Sequence, residues 1–121
     1  MILISHRGNI NGREPEKENH PEYINAALAQ GYDVEIDVWY VDGLFYLGHD
    51  EPVYNVPLSY LEKNGLWCHC KNLACLSRFY HTNINYFWHQ TDDATLTSKK
   101  FVWTYPNKEL FPNSIAVLPE T

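Results

Sequence analysis

The sequence predicts an α/β protein with a mostly parallel sheet, because strand-like apolar runs alternate with helical patterns. The strands recur at intervals of about 20–30 residues early in the chain and of about 15 residues later, a rhythm typical of strand–helix–strand units. Three apolar runs, at 4–8, 33–38 and 47–50, end in ionisable residues. Strands that deliver functional groups at their carboxyl ends have this pattern.

The first part of the chain predicts two strands joined by a helix. Residues 2–6 form the first strand, and a polar loop over 8–20 follows it. Pro21 suits the first position of a helix that Gly31 ends, and the second strand covers 33–40. Asp42-Gly43 predicts a tight turn, after which residues 44–47 return as a hairpin arm that carries His49.

The rest of the chain continues the alternation with shorter units. Helices are predicted over 57–64 and 72–81, and strands over 66–70, 86–89, 101–104 and 114–118. The polar segment 91–99 is predicted to hold no more than a helical turn. About six parallel strands therefore fit into a single domain, 1–121.

Charge and composition exclude some classes of function. The net charge is −6 and no run of Lys or Arg occurs, which argues against nucleic-acid binding. No apolar run has the roughly 20 residues that a membrane span needs, and the amino terminus lacks a signal-peptide pattern. The three cysteines crowd between 68 and 75, a spacing that suits reduced thiols in the cytoplasm. The prediction is a soluble cytoplasmic protein.

Two carboxylates on the second strand indicate a cation site. Glu35 and Asp37 are two residues apart, so both leave the same face of the strand. Their repulsion and desolvation favour a divalent cation between them, and Mg²⁺ or Ca²⁺ suits oxygen ligands best. The alternative is a buried carboxylate pair held by Arg7 and Lys71.

Five short motifs in this order resemble the glycerophosphodiester phosphodiesterase family, one of the phospholipase-C-like phosphodiesterases. These motifs are His6-Arg7-Gly8, Glu18-Asn19, Glu35-x-Asp37, Asp42-Gly43 and His49-Asp50. The resemblance implies a TIM-type (β/α) barrel, which typically needs about 250 residues. With 121 residues the expectation is a reduced or incomplete barrel: open, closed by a second copy that covers its edges, or lacking its last strands.

The resemblance also assigns roles to residues. His6 and His49 are expected as the acid–base pair, a task suited to imidazole near neutral pH, and Arg7 is expected to bind the substrate phosphate. Where the family has Glu-x-Lys on the third strand, this chain has His69-Cys70-Lys71. Lys71 then serves the phosphate, while His69 as a metal ligand would shift the preference toward Mn²⁺ or Zn²⁺.

Further residues are predicted around the same site. His89 and Glu120 would line the substrate pocket, and Glu18 or Glu120 is an alternative source of the third carboxylate. Cys68, His69, Cys70 and Cys75 do not have the spacing of a standard zinc site, so buried reduced thiols are favoured.

The function predicted is metal-dependent hydrolysis of glycerophosphodiester-type small molecules. The alternative is a non-catalytic domain of the same origin that binds phosphate or metal.

Overall fold

The computed structural model describes residues 2–88, 94–99, 102–104 and 114–117, with strand paths alone for 94–96, 102–104 and 114–117. The described residues form nine strands and three helices, in the order β1 (Leu3–His6), α1 (Pro21–Ala29), β2 (Asp33–Val41), β3 (Leu44–Leu47), β4 (Tyr54–Val56), α2 (Leu58–Leu61), β5 (Leu66–Cys70), α3 (Leu73–Phe79), β6 (Tyr86–Phe87), β7 (Ala94–Leu96), β8 (Val102–Thr104) and β9 (Ser114–Val117).

All nine strands belong to one mixed sheet. Its main path is β4-β3-β2-β1-β9-β8-β7, and β5 joins β2 and carries β6. The pairs β1–β2, β1–β9, β2–β5, β5–β6 and β8–β9 are parallel. The pairs β2–β3, β3–β4 and β7–β8 are antiparallel.

The expectation of a TIM-type barrel is wrong. Each parallel strand of such a barrel is followed by a helix, and the strands close on themselves. Here the three described helices have 9, 4 and 7 residues, too few to surround a barrel. In the described part of the chain β6 pairs with β5 alone, and β7 turns back antiparallel onto β8, so the sheet stays open and mixed.

The hydrophobic core lies between the helices and one face of β2 and β5. Val34, Ile36 and Val38 of β2 are fully buried with Cys68 and Cys70 of β5. Ile24 and Ala27 of α1 and Cys75 and Phe79 of α3 pack onto this face. By the two-residue period of a strand, the opposite face carries Glu35, Asp37 and His69.

Capping side chains fix the two longer helices at their amino ends. The His20 ring nitrogen accepts a hydrogen bond from the Glu22 amide, and Pro21 occupies the first turn of α1 as predicted. Asn72 Oδ1 accepts from the Cys75 amide at the start of α3. None of the helices in the described residues has the length and apolar character needed to cross a membrane.

Candidate functional site

Neighbouring strands bring the predicted metal ligands together. In the β2–β5 register Asp37 lies opposite His69, and Glu35 precedes Asp37 on the same face. One ligand atom from each of the three side chains lies within 4.8 Å of the others. Glu35 and Asp37 are buried, with 1% and 0% of their surface exposed.

Asp37 is held in one orientation by three partners. Its Oδ2 accepts hydrogen bonds from Arg7 Nε at 3.0 Å and from Asn19 Nδ2 at 2.9 Å. Its backbone N–H donates to Asn19 Oδ1 at 2.9 Å, while its Oδ1 lies 3.2 Å from His69 Nδ1. Burial alone would raise the pKa of Asp37, but His69, Arg7 and Asn19 lower it well below the usual range. Asp37 is therefore a carboxylate.

Glu35 has fewer partners for its charge. Its Oε2 lies 3.6 Å from His69 Nδ1, and its Oε1 lies 3.3 Å from His6 Nε2. Burial and then the Asp37 charge raise the pKa of Glu35 to about 7. Within the described residues, Oε1 is buried without a well-formed hydrogen bond. The charge of ionised Glu35 is therefore less well compensated than that of Asp37.

His69 provides part of that charge. Burial lowers its pKa, but hydrogen bonds and charge interactions with Asp37 and Glu35 outweigh burial and raise the pKa to about 9. Its ring also stacks on Phe87, with the centroids 5.1 Å apart and the planes 7° from parallel. A buried carboxylate pair was the alternative predicted from the sequence, with Arg7 and Lys71 as partners. The partners in the structure are Arg7 and His69.

Arg7 lies between two buried carboxylates. Its Nε donates to Asp37, and its Nη1 donates to Glu18 Oε1 at 3.2 Å. Glu18 Oε2 accepts from Asn9 Nδ2 at 2.8 Å, so Glu18 faces Arg7 and not the cation cluster. The predicted phosphate-binding arginine thus has an observed structural role, and its binding of phosphate stays a prediction.

The two predicted acid–base histidines come together along one edge of β2. The Arg7 amide donates to the Glu35 carbonyl at 2.8 Å, and the Gly48 amide donates to the Asp37 carbonyl at 3.1 Å. Carbonyls two residues apart in a strand point to the same side, so the ends of β1 and β3 meet beside β2. His6 is the last residue of β1 and His49 follows Gly48, so both histidines lie near this meeting point.

These histidines have different surroundings. Burial, then the Arg7 charge, lowers the pKa of His6 to about 3, and the charges of His49 and His69 contribute to this shift. His6 is therefore neutral at pH 7. The side chain of His49 is 41% exposed, and its Nδ1 lies 2.9 Å from Asp50 Oδ1.

The other predicted site residues have no observed contact with the cluster of Glu35, Asp37 and His69 in the described part of the chain. Lys71 follows β5 and its amide donates to the Val38 carbonyl at 2.8 Å, but its ammonium group makes no hydrogen bond or ion pair with the described residues. His89 and Glu120 lie outside the described residues. The three cysteines are free, buried thiols in the core between the helices and the sheet, as predicted.

Trp39 contacts the segment that carries His49, although it was not predicted as a site residue. Its indole Nε1–H donates to the Gly48 carbonyl at 2.7 Å, directly before His49. The period-two rule that selected Glu35 and Asp37 also places Trp39 on their face. The signal that could have identified Trp39 is an indole N–H donor on the face that carries the two carboxylates.

The cluster fits a divalent cation. The two carboxylates suit Mg²⁺ or Ca²⁺, and the imidazole from the adjacent strand shifts the preference toward Mn²⁺ or Zn²⁺. A cation at this position would meet the buried Glu35 Oε1, which makes no well-formed hydrogen bond with the described residues. Glu35, Asp37 and His69 would hold the ion, and His69 would have to lose its proton to do so.

Comparison of the chain with protein-family models, with curated protein sequences and with solved structures found no match.

Proposed function

We propose that this protein is a metal-dependent phosphodiesterase that hydrolyses glycerophosphodiester-type substrates. The observation that carries the proposal is the convergence of Glu35, Asp37 and His69 ligand atoms within 4.8 Å, with His6 3.3 Å from Glu35. A cation site bordered by two histidines has the parts that phosphodiester cleavage needs.

The two histidines take different roles in the proposed reaction. His6, whose Nε2 lies 3.3 Å from Glu35, accepts the proton of the attacking hydroxyl as the hydroxyl oxygen bonds to phosphorus. Attack by water gives a phosphomonoester, and attack by a hydroxyl of the substrate gives a cyclic phosphate. His49 gives a proton to the leaving alcohol oxygen as the P–O bond breaks. Asp50, 2.9 Å from His49 Nδ1, orients that ring.

The remaining residues hold the substrate. Lys71 follows the carboxyl end of β5, two residues beyond His69. Its ammonium group is the candidate to bind a phosphate oxygen. A divalent ion at Glu35, Asp37 and His69 would neutralise the phosphate and stabilise the leaving oxygen. Arg7 supports this arrangement by fixing the Asp37 carboxylate.

Hydrolysis assays test the proposal directly. Bis-(p-nitrophenyl) phosphate and glycerophosphocholine are incubated with the protein in EDTA, and Mg²⁺, Ca²⁺, Mn²⁺ or Zn²⁺ is then added back. We expect activity that is lost in EDTA and restored by one ion. The matched variants are Glu35→Gln, which should stay inactive, and Glu62→Gln on the exposed surface, which should behave as wild type. Absence of hydrolysis with every ion in folded protein would contradict the proposal.

A non-catalytic phosphate- or metal-binding domain is the second candidate. The observation that favours it is that His69 stands opposite Asp37 where the resembled family has a glutamate, so the third ligand of that family's site is changed. Titration calorimetry separates the two candidates, because a binding domain would take up a divalent ion and inorganic phosphate without cleaving either diester.

A further inference from the structure

Trp39 and Gly48 form a contact between β2 and the segment that carries His49. Gly48 follows β3, and its amide donates to the Asp37 carbonyl at 3.1 Å. Its own carbonyl accepts from Trp39 Nε1 at 2.7 Å. Both backbone polar groups of Gly48 therefore bond to β2: the N–H to Asp37 and the carbonyl to Trp39.

The segment after Gly48 is tightly folded. A Cβ atom at Gly48 would lie 1.9 Å from the Glu51 carbonyl oxygen, a backbone atom that cannot move aside cheaply. The Val53 amide donates to the Leu47 carbonyl at 2.9 Å and closes the loop between β3 and β4. His49 and Asp50 thus protrude from a short closed loop whose first residue is fixed by Asp37 and Trp39.

We infer that Trp39 is a positioning residue for His49. The indole N–H fixes the Gly48 carbonyl, and with it the peptide plane that leads into His49. This inference rests on the proposed role of His49 as the proton donor. Because a proton donor must lie within hydrogen-bond reach of the leaving oxygen, a small displacement of its backbone lowers the rate of the chemical step.

The test compares two tryptophans that each donate one side-chain hydrogen bond. Trp39→Phe keeps an aromatic ring but removes the N–H that holds Gly48. Trp67→Phe is the control for the Gly48 contact, because Trp67 Nε1 donates at 2.9 Å to Asp33 Oδ2, the first residue of β2, and not to the His49 segment. Both variants lose one hydrogen bond, and only the first loses a bond to the His49 segment.

Two readouts are measured on both variants. With bis-(p-nitrophenyl) phosphate and the activating ion, Trp39→Phe should lower kcat about tenfold and change KM by less than about twofold. Amide hydrogen exchange at Gly48 should accelerate by about the same factor. Trp67→Phe should leave Gly48 exchange within about twofold of wild type, because the Trp67 hydrogen bond does not involve the His49 segment.

The outcomes separate this inference from the proposed function. If wild type does not hydrolyse any diester, the proposed function fails, and the Gly48 exchange rate alone decides whether Trp39 fixes the segment. Unchanged Gly48 exchange in Trp39→Phe would overturn the inference, whether or not the enzyme is active. A raised KM with an unchanged kcat would also overturn it, because Trp39 would then contact substrate instead of positioning His49.

Discussion

Arg7 Nε donates a hydrogen bond to Asp37 Oδ2 at 3.0 Å, and both side chains are buried. The same guanidinium donates to Glu18 Oε1, so one arginine joins β1, the loop before α1 and β2. Removal of a buried charge partner leaves an uncompensated carboxylate, which is more costly than the pair is stabilising.

Arg7→Lys should destabilise the fold by about 2–4 kcal/mol, because an ammonium group cannot reproduce the fork that contacts two carboxylates. Urea unfolding measures the change. Arg13→Lys is the control, since the Arg13 side chain is 58% exposed and lies 3.7 Å from the same Glu18. Equal and small changes in the free energy of unfolding for both variants would show that the buried contacts of Arg7 do not stabilise the fold.

His49→Ala should lower kcat by about 10²–10⁴-fold, the usual contribution of a general acid. The side chain is 41% exposed, so the free energy of unfolding should change little. His6→Ala should also abolish cleavage while the fold is retained. His81→Ala on the exposed surface is the control. Full activity in either site variant would reject the acid–base assignment.

Glu35→Gln and Asp37→Asn should differ in metal-free protein. The pKa of Glu35 is raised to about 7, so a neutral amide there should cost less than about 1 kcal/mol. The pKa of Asp37 is lowered by His69 and Arg7 although burial opposes this, so Asp37→Asn should cost about 2–4 kcal/mol. Both variants should lose any rise in Tm on addition of a divalent ion. A metal-induced rise that survives in Glu35→Gln would reject the cation site.

The stability of the metal-free protein should fall as the pH rises from about 6.5 to 9. The pKa of His69 is raised from 6.5 to about 9, despite burial, by Asp37 and Glu35. A raised histidine pKa stabilises the fold fully below 6.5, and this contribution is lost as the pH passes 9. Urea unfolding at a series of pH values should show a loss of roughly 1–3 kcal/mol in this window. His69→Gln should flatten the profile and His81→Gln should not; a steep profile in His69→Gln would assign the effect to other groups.

The local elements and the site face could be predicted from the sequence. The two-residue period of strands placed Glu35, Asp37 and His69 on the face opposite the core, and the structure confirms this side. The tight turn at Asp42-Gly43 and the returning arm were also predicted, and β2 and β3 pair there. Both predictions rest on the spacing of side chains along a strand and on turn-forming residues. These features depend only on residues that are close in the sequence.

The long-range arrangement could not be predicted in the same way. The barrel was inferred from a resemblance, whereas the strand pairings of this chain give an open mixed sheet. Strand β4 was missed because its three residues stand between prolines 52 and 57, and β7 was missed because its neighbours are polar. The contact of Arg7 with Asp37 and Glu18 was also out of reach, because a sequence does not give the direction of a long side chain.

The pairing of β1 with β9 has a consequence for how the protein folds. Leu3 and Ile4 pair with Ala116 and Val117, more than 110 positions later in the sequence. Contacts between distant residues require closure of a long loop before they contribute, and such topologies fold slowly. During synthesis on the ribosome, β2 and β5 can pair well before β9 emerges. Strand β1, which ends at His6, would therefore keep one edge open until β9 is made, and that edge would be exposed to wrong partners in the nascent chain.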